Sequence, residues 1–165
     1  MLKIIRSLKD LDFRQLADVY IQSCQERGSV RYSGQTAQQQ LLSEQVLYGE
    51  VKCFFADKNA FYAVWEADGK YVSALRIEPY KDGLLLEGLE TLPEQRCKGY
   101  AKQLVSAVLS ELSEQGSATV YSHLDKKNTA SLAVHLACGF EIVRECAVYA
   151  DGSVSQNAYT MKINI

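Results

Sequence analysis

The chain has 165 residues, of which 47% are hydrophobic, and a formal net charge of −2. This length suits one domain with a substantial apolar core. A charge so close to zero gives no electrostatic attraction to nucleic acid, and no apolar run approaches the ~20 residues of a membrane span. We therefore predict a single domain over residues 1–165, with neither nucleic acid nor a membrane as partner.

The cysteines and histidines argue against a metal site. The five cysteines are Cys24, Cys53, Cys97, Cys138 and Cys146. They include no C-x-x-C pair, and the two histidines stand apart from them, so the spacing typical of zinc sites is missing. An odd number of cysteines without a preceding N-terminal apolar segment is typical of a reducing compartment. We expect no metal and a cytoplasmic protein.

The first third of the chain predicts one strand and two helices. Residues 2–6 have the pattern of a strand, and Asp10 is expected to cap the helix that follows. The apolar stripe of that helix is Phe13, Leu16, Ala17, Tyr20, Ile21 and Cys24. Thr36 and Gln39 have the spacing of a capping box, which predicts a second helix through Val46. The residues between the two helices, 27–34, form a polar loop.

Three Asp-Gly pairs predict hairpins. Asp68-Gly69 separates two β-rich runs at 61–66 and 70–78, which is a strong hairpin signal. Asp82-Gly83 repeats it before the apolar run 84–92, and Asp151-Gly152 joins the run 140–148 to 156–163 in a final hairpin. These pairs indicate an antiparallel meander.

The second half predicts strands joined by helical crossovers. Apolar residues recur at helical spacing over 100–114, and Gly116 ends that helix. Residues 119–124 form the next strand, and Asn128 caps a helix that Gly139 stops. The strands 84–92 and 119–124 are expected to run parallel. The whole chain therefore has a mixed α/β (α+β) pattern.

The segment that carries most chemical information is Gln95-Arg96-Cys97-Lys98-Gly99-Tyr100-Ala101, between a strand and a helix. Backbone N–H groups at a helix N-terminus and the helix dipole attract anions such as a pyrophosphate. Gly99 allows a close backbone approach, and Arg96 and Lys98 add positive charge. The sequence contains neither G-x-G-x-x-G nor G-x-x-x-x-G-K-[ST], so neither common nucleotide fingerprint applies.

The pattern Arg96-x-x-Gly99-x-Ala101 resembles the acyl-CoA pyrophosphate loop of the GNAT acetyltransferase superfamily. A second block, with Asn128, His135 and then Gly139-Phe140, is similar to the later motif of that family. The resemblance covers essentially the whole chain. It implies one GNAT-like domain, with a mostly antiparallel sheet of six to seven strands, a parallel pair that splays at the cofactor and about four flanking helices.

The resemblance also implies a cofactor and its contacts. Acetyl-CoA is the expected acyl donor, with its pyrophosphate on Arg96, Cys97, Lys98, Gly99, Tyr100 and Ala101 and a further contact at Asn128. The pantetheine arm would pair with strand backbone near Leu89 and Thr91. In such proteins the first two helices and their loop wall the acceptor site, which makes Arg31 and Tyr32 candidate acceptor contacts. The implied reaction is transfer of acetyl to a primary amine.

Acetylation of an ammonium whose pKa is about 10.4 needs a base. Glu90, Glu87 and His123 are the candidates. Glu87 has the opposite strand parity to Glu90 unless a bulge intervenes, and bulges are common beside active sites. His123 stands five residues before Asn128, where some ribosomal-protein acetyltransferases of the resembled family carry a glutamate base.

His135 departs from the family pattern, which commonly has a tyrosine at this place as the acid that meets the thioester sulfur. Its ring could donate a hydrogen bond to the sulfur, or it could simply pack in the helix. Tyr121 and Tyr149 are alternative acids, and the thiolate could also leave unaided. Cys97 lacks a positioned base, so direct transfer in a ternary complex is favoured over an acyl-cysteine.

Three questions stay open at this level. The acceptor could be a protein or peptide amine, a polyamine, an aminoglycoside or a small metabolite. The chain could also bind acyl-CoA without turnover, as a sensor or regulatory partner, or be a nucleotide-phosphate module of unrelated fold. A homodimer is a further option for its assembly.

Overall fold

The computed structural model describes residues 1–23 and 36–165. Its helices are α1 (Phe13–Val19), α2 (Thr36–Phe54), α3 (Tyr100–Glu114), α4 (Thr129–Ala137) and the 3-10 turn Pro93–Gln95. Its strands are β1 (Leu2–Ile5), β2 (Phe61–Ala67), β3 (Lys70–Tyr80), β4 (Gly83–Thr91), β5 (Thr119–Asp125), β6 (Glu141–Arg144), β7 (Ala147–Val148), β8 (Val154–Ser155) and β9 (Ala158–Asn164).

Seven strands form one sheet in the order β1-β2-β3-β4-β5-β9-β6, and β7 pairs with β8 beside it. Neighbouring strands are antiparallel except for β4 and β5, which are parallel. The predicted mixed α/β fold, with its mostly antiparallel sheet and one parallel pair, is confirmed. No helix within the described ranges is long and apolar enough to span a bilayer.

Apolar side chains cover both faces of the sheet, because α1 and α2 pack on one face and α3 on the other. The α3 face carries the larger cluster, in which Leu104, Val108 and the sheet residue Leu86 are fully buried. The opposite cluster joins Leu16 of α1 and Val51 of α2 to the same sheet. The molecule is therefore a three-layer α/β/α sandwich.

Two predicted local features are wrong in detail. Asp12, rather than Asp10, caps α1, since its side chain accepts a hydrogen bond from the N–H of Gln15, whereas Asp10 accepts one from Ser7. The second hairpin turns at Lys81-Asp82, because Gly83 already pairs with Tyr80 in the ladder. Lys81 takes the positive φ of 51° that the turn requires.

The predicted first helix ends at Val19, before Ile21 of its predicted apolar stripe, while Cys24 and the predicted loop 27–34 lie outside the described residues. The other predicted strands and helices are confirmed, two of them with changed bounds. Asp68 and Gly69 both have positive φ in a two-residue turn between β2 and β3. The second helix extends past Val46 to Phe54. The last hairpin is interrupted, so β6 pairs with β9 while β7 and β8 pair around the Asp151-Gly152 turn. Neither change moves the elements that surround the predicted site.

Candidate active site

The parallel strands β4 and β5 separate halfway along β4. Their ladder consists of Leu84 to Leu86 against Val120 to Ser122. β4 then continues to Thr91, held by β3, while β9 holds β5. Beyond Leu86, the β5-facing edge of β4 therefore has no strand partner among the described residues. This free edge offers backbone N–H and C=O groups to a ligand that enters the fork.

The predicted anion-binding loop follows β4 directly. After the 3-10 turn, Cys97 takes a φ of 61° and Gly99 a φ of 82°, and Gly99 is the N-cap of α3. A left-handed N-cap without a side chain leaves the first N–H groups of α3 without side-chain capping. These donors, together with the positive end of the helix dipole, suit a phosphate group.

A cavity of about 600 Å³ lies where the fork and this loop meet. The predicted site residues that line it are Leu89, Glu90, Thr91, Arg96, Cys97, Gly99, Tyr100, Ala101 and Asn128. Sequence reasoning missed other lining residues, which are Gln22, Ser23, Gln95, Lys102, Ala130, Ser131 and Val134. Spatial neighbours such as Gln22 and Ser23 could not be found because they are distant in sequence and reach the site only through tertiary packing of the segment that follows α1.

The basic residues of the loop bond to neighbouring groups of the protein. Arg96 donates from Nε to the carbonyl oxygen of Thr91 at 3.2 Å, and its guanidinium lies 3.9 Å from a Glu90 carboxylate oxygen. Lys98 donates to the side chain of Gln95 at 2.9 Å and stands outside the described residues that line the cavity. Arg96 therefore braces the end of β4.

Glu90 faces the cavity and is anchored at several atoms. Its carboxylate accepts a hydrogen bond from the hydroxyl of Ser23 at 2.6 Å, and its carbonyl oxygen accepts one from Ser73 at 2.6 Å. With Arg96 near the other carboxylate oxygen, Glu90 links Ser23, β3 and the loop. Glu90 is therefore held in a fixed position as part of the cavity wall.

A β-bulge decides where the two glutamates point. Ala74 lies opposite Glu90 and Arg76 opposite Glu87, so β4 has one extra residue across this interval. Gly88 takes a φ of 63° there, and its carbonyl oxygen accepts a 2.5 Å hydrogen bond from the Tyr20 hydroxyl. Because Ala74 and Arg76 share a face of β3, the bulge places both glutamates on one face.

Glu87 lies at the fork beside His123. One of its oxygens accepts a 2.9 Å hydrogen bond from Arg76, and the other lies 3.7 Å from Nδ1 of His123. Nε2 of His123 is 3.5 Å from the hydroxyl of Tyr80, which donates to the carbonyl oxygen of Val148. These side chains form a second polar cluster, which we call the fork cluster: Arg76, Glu87, His123 and Tyr80.

The charges within the fork cluster favour an ionised Glu87. Burial alone would raise the pKa of Glu87, but the hydrogen bond and the charge of Arg76 lower it below its ordinary value. Burial opposes the charge of Arg76, yet the hydrogen bond and attraction of Glu87 raise the pKa of Arg76 further. The cluster therefore holds a fixed carboxylate at the point where the strands part.

His135 lies on the opposite face of the sheet, inside the core. Its Nδ1 is 2.9 Å from the carbonyl oxygen of Ser131, which can only accept, so Nδ1 carries the proton. Nε2 then accepts from the hydroxyl of Ser122 at 3.1 Å. Burial lowers the pKa of His135, which keeps the ring neutral. This geometry fits the packing role expected as an alternative and does not fit contact with the thioester sulfur.

The remaining predicted residues fall into three places. The Tyr121 hydroxyl donates to Asp82 at 2.9 Å, near the β3–β4 turn and away from the loop. Tyr149 packs its ring edge-on against His123, with centroids 5.1 Å apart. Arg31 and Tyr32 lie outside the described residues. Over the described ranges, no group of three or more His, Cys, Asp and Glu side chains is placed to hold a metal.

Comparison with known proteins identifies the family of this chain. The model of the acetyltransferase (GNAT) family matches residues 15–140. An aminoglycoside N(6')-acetyltransferase type 1 from Salmonella typhimurium is 38% identical over 66 residues, which are 40% of this chain and 46% of that protein. The match thus spans about half the length of this curated relative.

Solved structures share the fold over the full chain. A PaiA N-acetyltransferase from Thermoplasma acidophilum, in complex with coenzyme A, superposes with a TM-score of 0.67 at 14% identity, covering 100% of this chain and 99% of that one. An aminoglycoside 6'-acetyltransferase type Ii gives 0.68 at 17% identity, covering 99% and 96%. These similarities exclude the alternative of a nucleotide-phosphate module of unrelated fold.

Proposed function

The chain belongs to the acetyltransferase (GNAT) family, and from this premise we propose that it transfers an acetyl group from acetyl-CoA to a primary amine. The single observation that carries the proposal is the junction of three features: the fork between β4 and β5, the Gly99 loop at the start of α3 and the cavity between them. The free strand edge suits the pantetheine arm of acetyl-CoA, and the helix end suits its pyrophosphate. The cavity between them suits its acyl end.

We assign the pyrophosphate to the backbone from Arg96 to Ala101. The uncapped N–H groups at the start of α3 support this, since they need no side chain to bind a phosphate. Lys98 would supply charge from outside the cavity rather than a direct contact. Asn128 lines the cavity and also caps α4 through its bond from the N–H of Ser131, so it would join α4 to the cofactor.

The pantetheine arm is assigned to the free edge of β4 at Leu89 and Thr91. Both residues line the cavity, and their strand lacks a partner on this side within the described chain. An arm paired there would direct the thioester toward the fork. We propose that the amine approaches from the α1–α2 face and attacks directly in a ternary complex, where the polar side chains of β4 and β5 lie.

The acceptor itself is proposed as a primary amine of a small molecule or peptide. The name of the Salmonella relative and of one structural neighbour supports an aminoglycoside as the first compound to assay. Spermidine and a peptide with a free N-terminus represent the other classes. Arg31 and Tyr32 stay predicted acceptor contacts.

The test is release of CoA thiol from acetyl-CoA with kanamycin, spermidine or the peptide as acceptor. We expect amine-dependent release by the wild type and its loss in Gly99→Glu, which adds a carboxylate at the pyrophosphate position. Gly116→Glu is the matched control, because Gly116 also has positive φ and lies in open space beyond the C-terminal end of α3. Thiol release no higher than background with every amine would contradict the proposed activity.

The same assay separates turnover from a non-catalytic acyl-CoA sensor of this fold. A sensor would bind acetyl-CoA and release no thiol with any amine. The fork cluster does not line the cavity but lies where β4 and β5 part, and it favours catalysis, since a sensor has no need of a buried ionised carboxylate there.

The cysteines and an exposed strand edge bear on location and assembly. Cys53, Cys97, Cys138 and Cys146 are free thiols, which suits the cytoplasm. The edge strand β6 exposes Ile142 and Val143, which supports pairing of two copies along that edge. Analytical ultracentrifugation of the wild type and of Val143→Lys would test the dimer.

A further inference from the structure

We infer that the fork cluster is a proton relay, in which Glu87 takes the proton from the acceptor ammonium and passes it to His123 while Arg76 holds Glu87 in place. This inference rests on the proposed acetyl transfer. It assigns the base to a pair of residues and adds Arg76 as a positioning residue.

The first argument is position. Glu87 and His123 directly follow Leu86 and Ser122, the last pair of the parallel ladder, so they stand where β4 and β5 part. The side chain of Glu87 is 19% exposed and that of His123 is 2% exposed. An incoming amine therefore meets the carboxylate first, with the imidazole behind it.

The second argument is unsatisfied hydrogen bonding. Among the described residues, the buried side-chain nitrogens that lack a hydrogen-bond partner are Nε of Arg76 and Nδ1 of His123. Both belong to the groups that flank Glu87. Buried polar atoms are nearly always paired in folded proteins, and exceptions call for an explanation such as catalysis. A proton arriving at Nδ1 of His123 would satisfy that atom.

The third argument is the tautomer of His123. The Tyr80 hydroxyl donates its proton to Val148, so it can only accept from His123. The neutral ring therefore carries its proton on Nε2 and turns the lone pair of Nδ1 toward Glu87. The separation of 3.7 Å is longer than a hydrogen bond, as catalytic contacts commonly are before the substrate is bound.

The proton balance explains why a pair is needed. An ammonium R–NH3⁺ gives a proton to the Glu87 carboxylate and becomes a neutral amine. The lowered pKa of Glu87 makes its acid form short-lived, so the proton moves to Nδ1 of His123 and the carboxylate is regenerated. The amine nitrogen then bonds to the acetyl carbon and the C–S bond breaks; of the two protons still on nitrogen, one moves to the thiolate to give CoA–SH and the other stays in the amide. His123 finally releases its proton to solvent.

Arg76 acts through Glu87. Its 2.9 Å hydrogen bond fixes one carboxylate oxygen and leaves the other toward His123. The guanidinium also lies over the ring of Phe54 of α2, which limits its movement. Other charged or titratable groups surround the pair. They are Glu78 and Tyr80 on β3, Tyr121 on β5 and Tyr149 in the β7–β8 turn. Arg144 of β6 lies further away, since its partner Thr160 of β9 separates it from β5.

The kinetic test uses whichever of kanamycin, spermidine and the free-N-terminus peptide the wild type acetylates fastest. Glu87→Gln and His123→Ala should each lower kcat about 100-fold at neutral pH, with unchanged acetyl-CoA affinity by calorimetry. Because a rising pH deprotonates the amine in solution, both losses should shrink toward alkaline pH. Arg76→Lys should retain more kcat than Arg76→Ala, since it keeps the charge.

Glu78→Gln is the matched control, because it removes a carboxylate from the same face of β3 outside the Arg76–Glu87–His123 chain. It should change kcat much less than Glu87→Gln. Losses in Glu87→Gln and His123→Ala that stay constant across pH, or that appear in the KM for acetyl-CoA instead of kcat, would overturn the relay.

A second measurement needs no turnover and keeps the inference separate from the proposed function. The chain has two histidines, so ¹⁵N-histidine NMR resolves both rings. The neutral ring of His123 should carry its proton on Nε2, and Glu87→Gln should change the chemical shift of Nδ1, because it removes the carboxylate that faces this nitrogen. A proton on Nδ1, or an Nδ1 chemical shift unchanged by Glu87→Gln, would overturn the relay. Absence of acetylation in the wild type would instead contradict the proposed function, and the NMR result would still decide the relay.

Discussion

The rings of both histidines are buried, on opposite faces of the sheet, yet their surroundings differ. His135 has both ring nitrogens bonded, to Ser131 and Ser122. His123, whose side chain is 2% exposed, leaves Nδ1 unbonded beside an ionised Glu87. Burial and residue type therefore do not separate a structural from a functional histidine here. The hydrogen-bond state does, because a satisfied ring gains nothing from a further proton.

The same substitution at both histidines gives the largest expected difference. His135→Phe leaves the Ser122 hydroxyl and the Ser131 carbonyl unpaired, which should lower the free energy of unfolding by about 2–3 kcal/mol. His123→Phe removes an unsatisfied nitrogen and should change it by less than about 1 kcal/mol, while abolishing most turnover. Urea denaturation of both variants measures this. Equal losses of stability would break the comparison.

The pH dependence of stability isolates His135. Burial lowers its pKa in the folded state below the ordinary 6.5, so the unfolded chain binds more protons. Its contribution is complete above 6.5 and is lost as the pH falls, by up to about 1.4 kcal/mol per pH unit. The stability gap between wild type and His135→Phe should therefore be widest at neutral pH and narrow toward acid. Urea midpoints at several pH values test this, and a gap that widens toward acid would contradict it.

The smallest effect tests the bulge that brings Glu87 to the functional face. Gly88→Ala places a methyl group 3.2 Å from the Tyr20 hydroxyl at a φ of 63° and should cost about 1 kcal/mol for the backbone alone. Gly152→Ala, at positive φ in open space, is the control for that backbone cost. Gly88→Ala should lose more stability in thermal denaturation than this control and also lower kcat. Equal stability and unchanged kcat would show that the bulge does not position Glu87.

Local signals predicted the parts of the site that depend on neighbouring residues. The strand, loop and helix around Gly99 and the Asn128 cap follow from turn and capping chemistry, and both are present. The fork cluster depends on the register between β3 and β4, because moving the turn between them by one residue changes every cross-strand pair. A turn at Asp82-Gly83 would place Glu87 opposite Glu78, whereas the observed turn at Lys81-Asp82 places it opposite Arg76.

The bulge at Gly88 and the tautomers of the histidines were beyond sequence reasoning for the same reason. Each depends on atoms from several strands, such as the Tyr20 hydroxyl on Gly88 or the Tyr80 hydroxyl on His123. The one signal that could have located Arg76 was the two-residue hairpin register counted outward from Lys81-Asp82.

The measurement that tests the account most directly is a calorimetric titration of the purified protein with acetyl-CoA, beside ADP and dephospho-CoA. We predict CoA-selective binding in the micromolar range, about −8 kcal/mol, which Gly99→Glu abolishes and Gly116→Glu leaves intact. No binding of acetyl-CoA, or equal binding of ADP, would contradict the assignment of the cavity to acetyl-CoA and with it the proposed acetyl transfer.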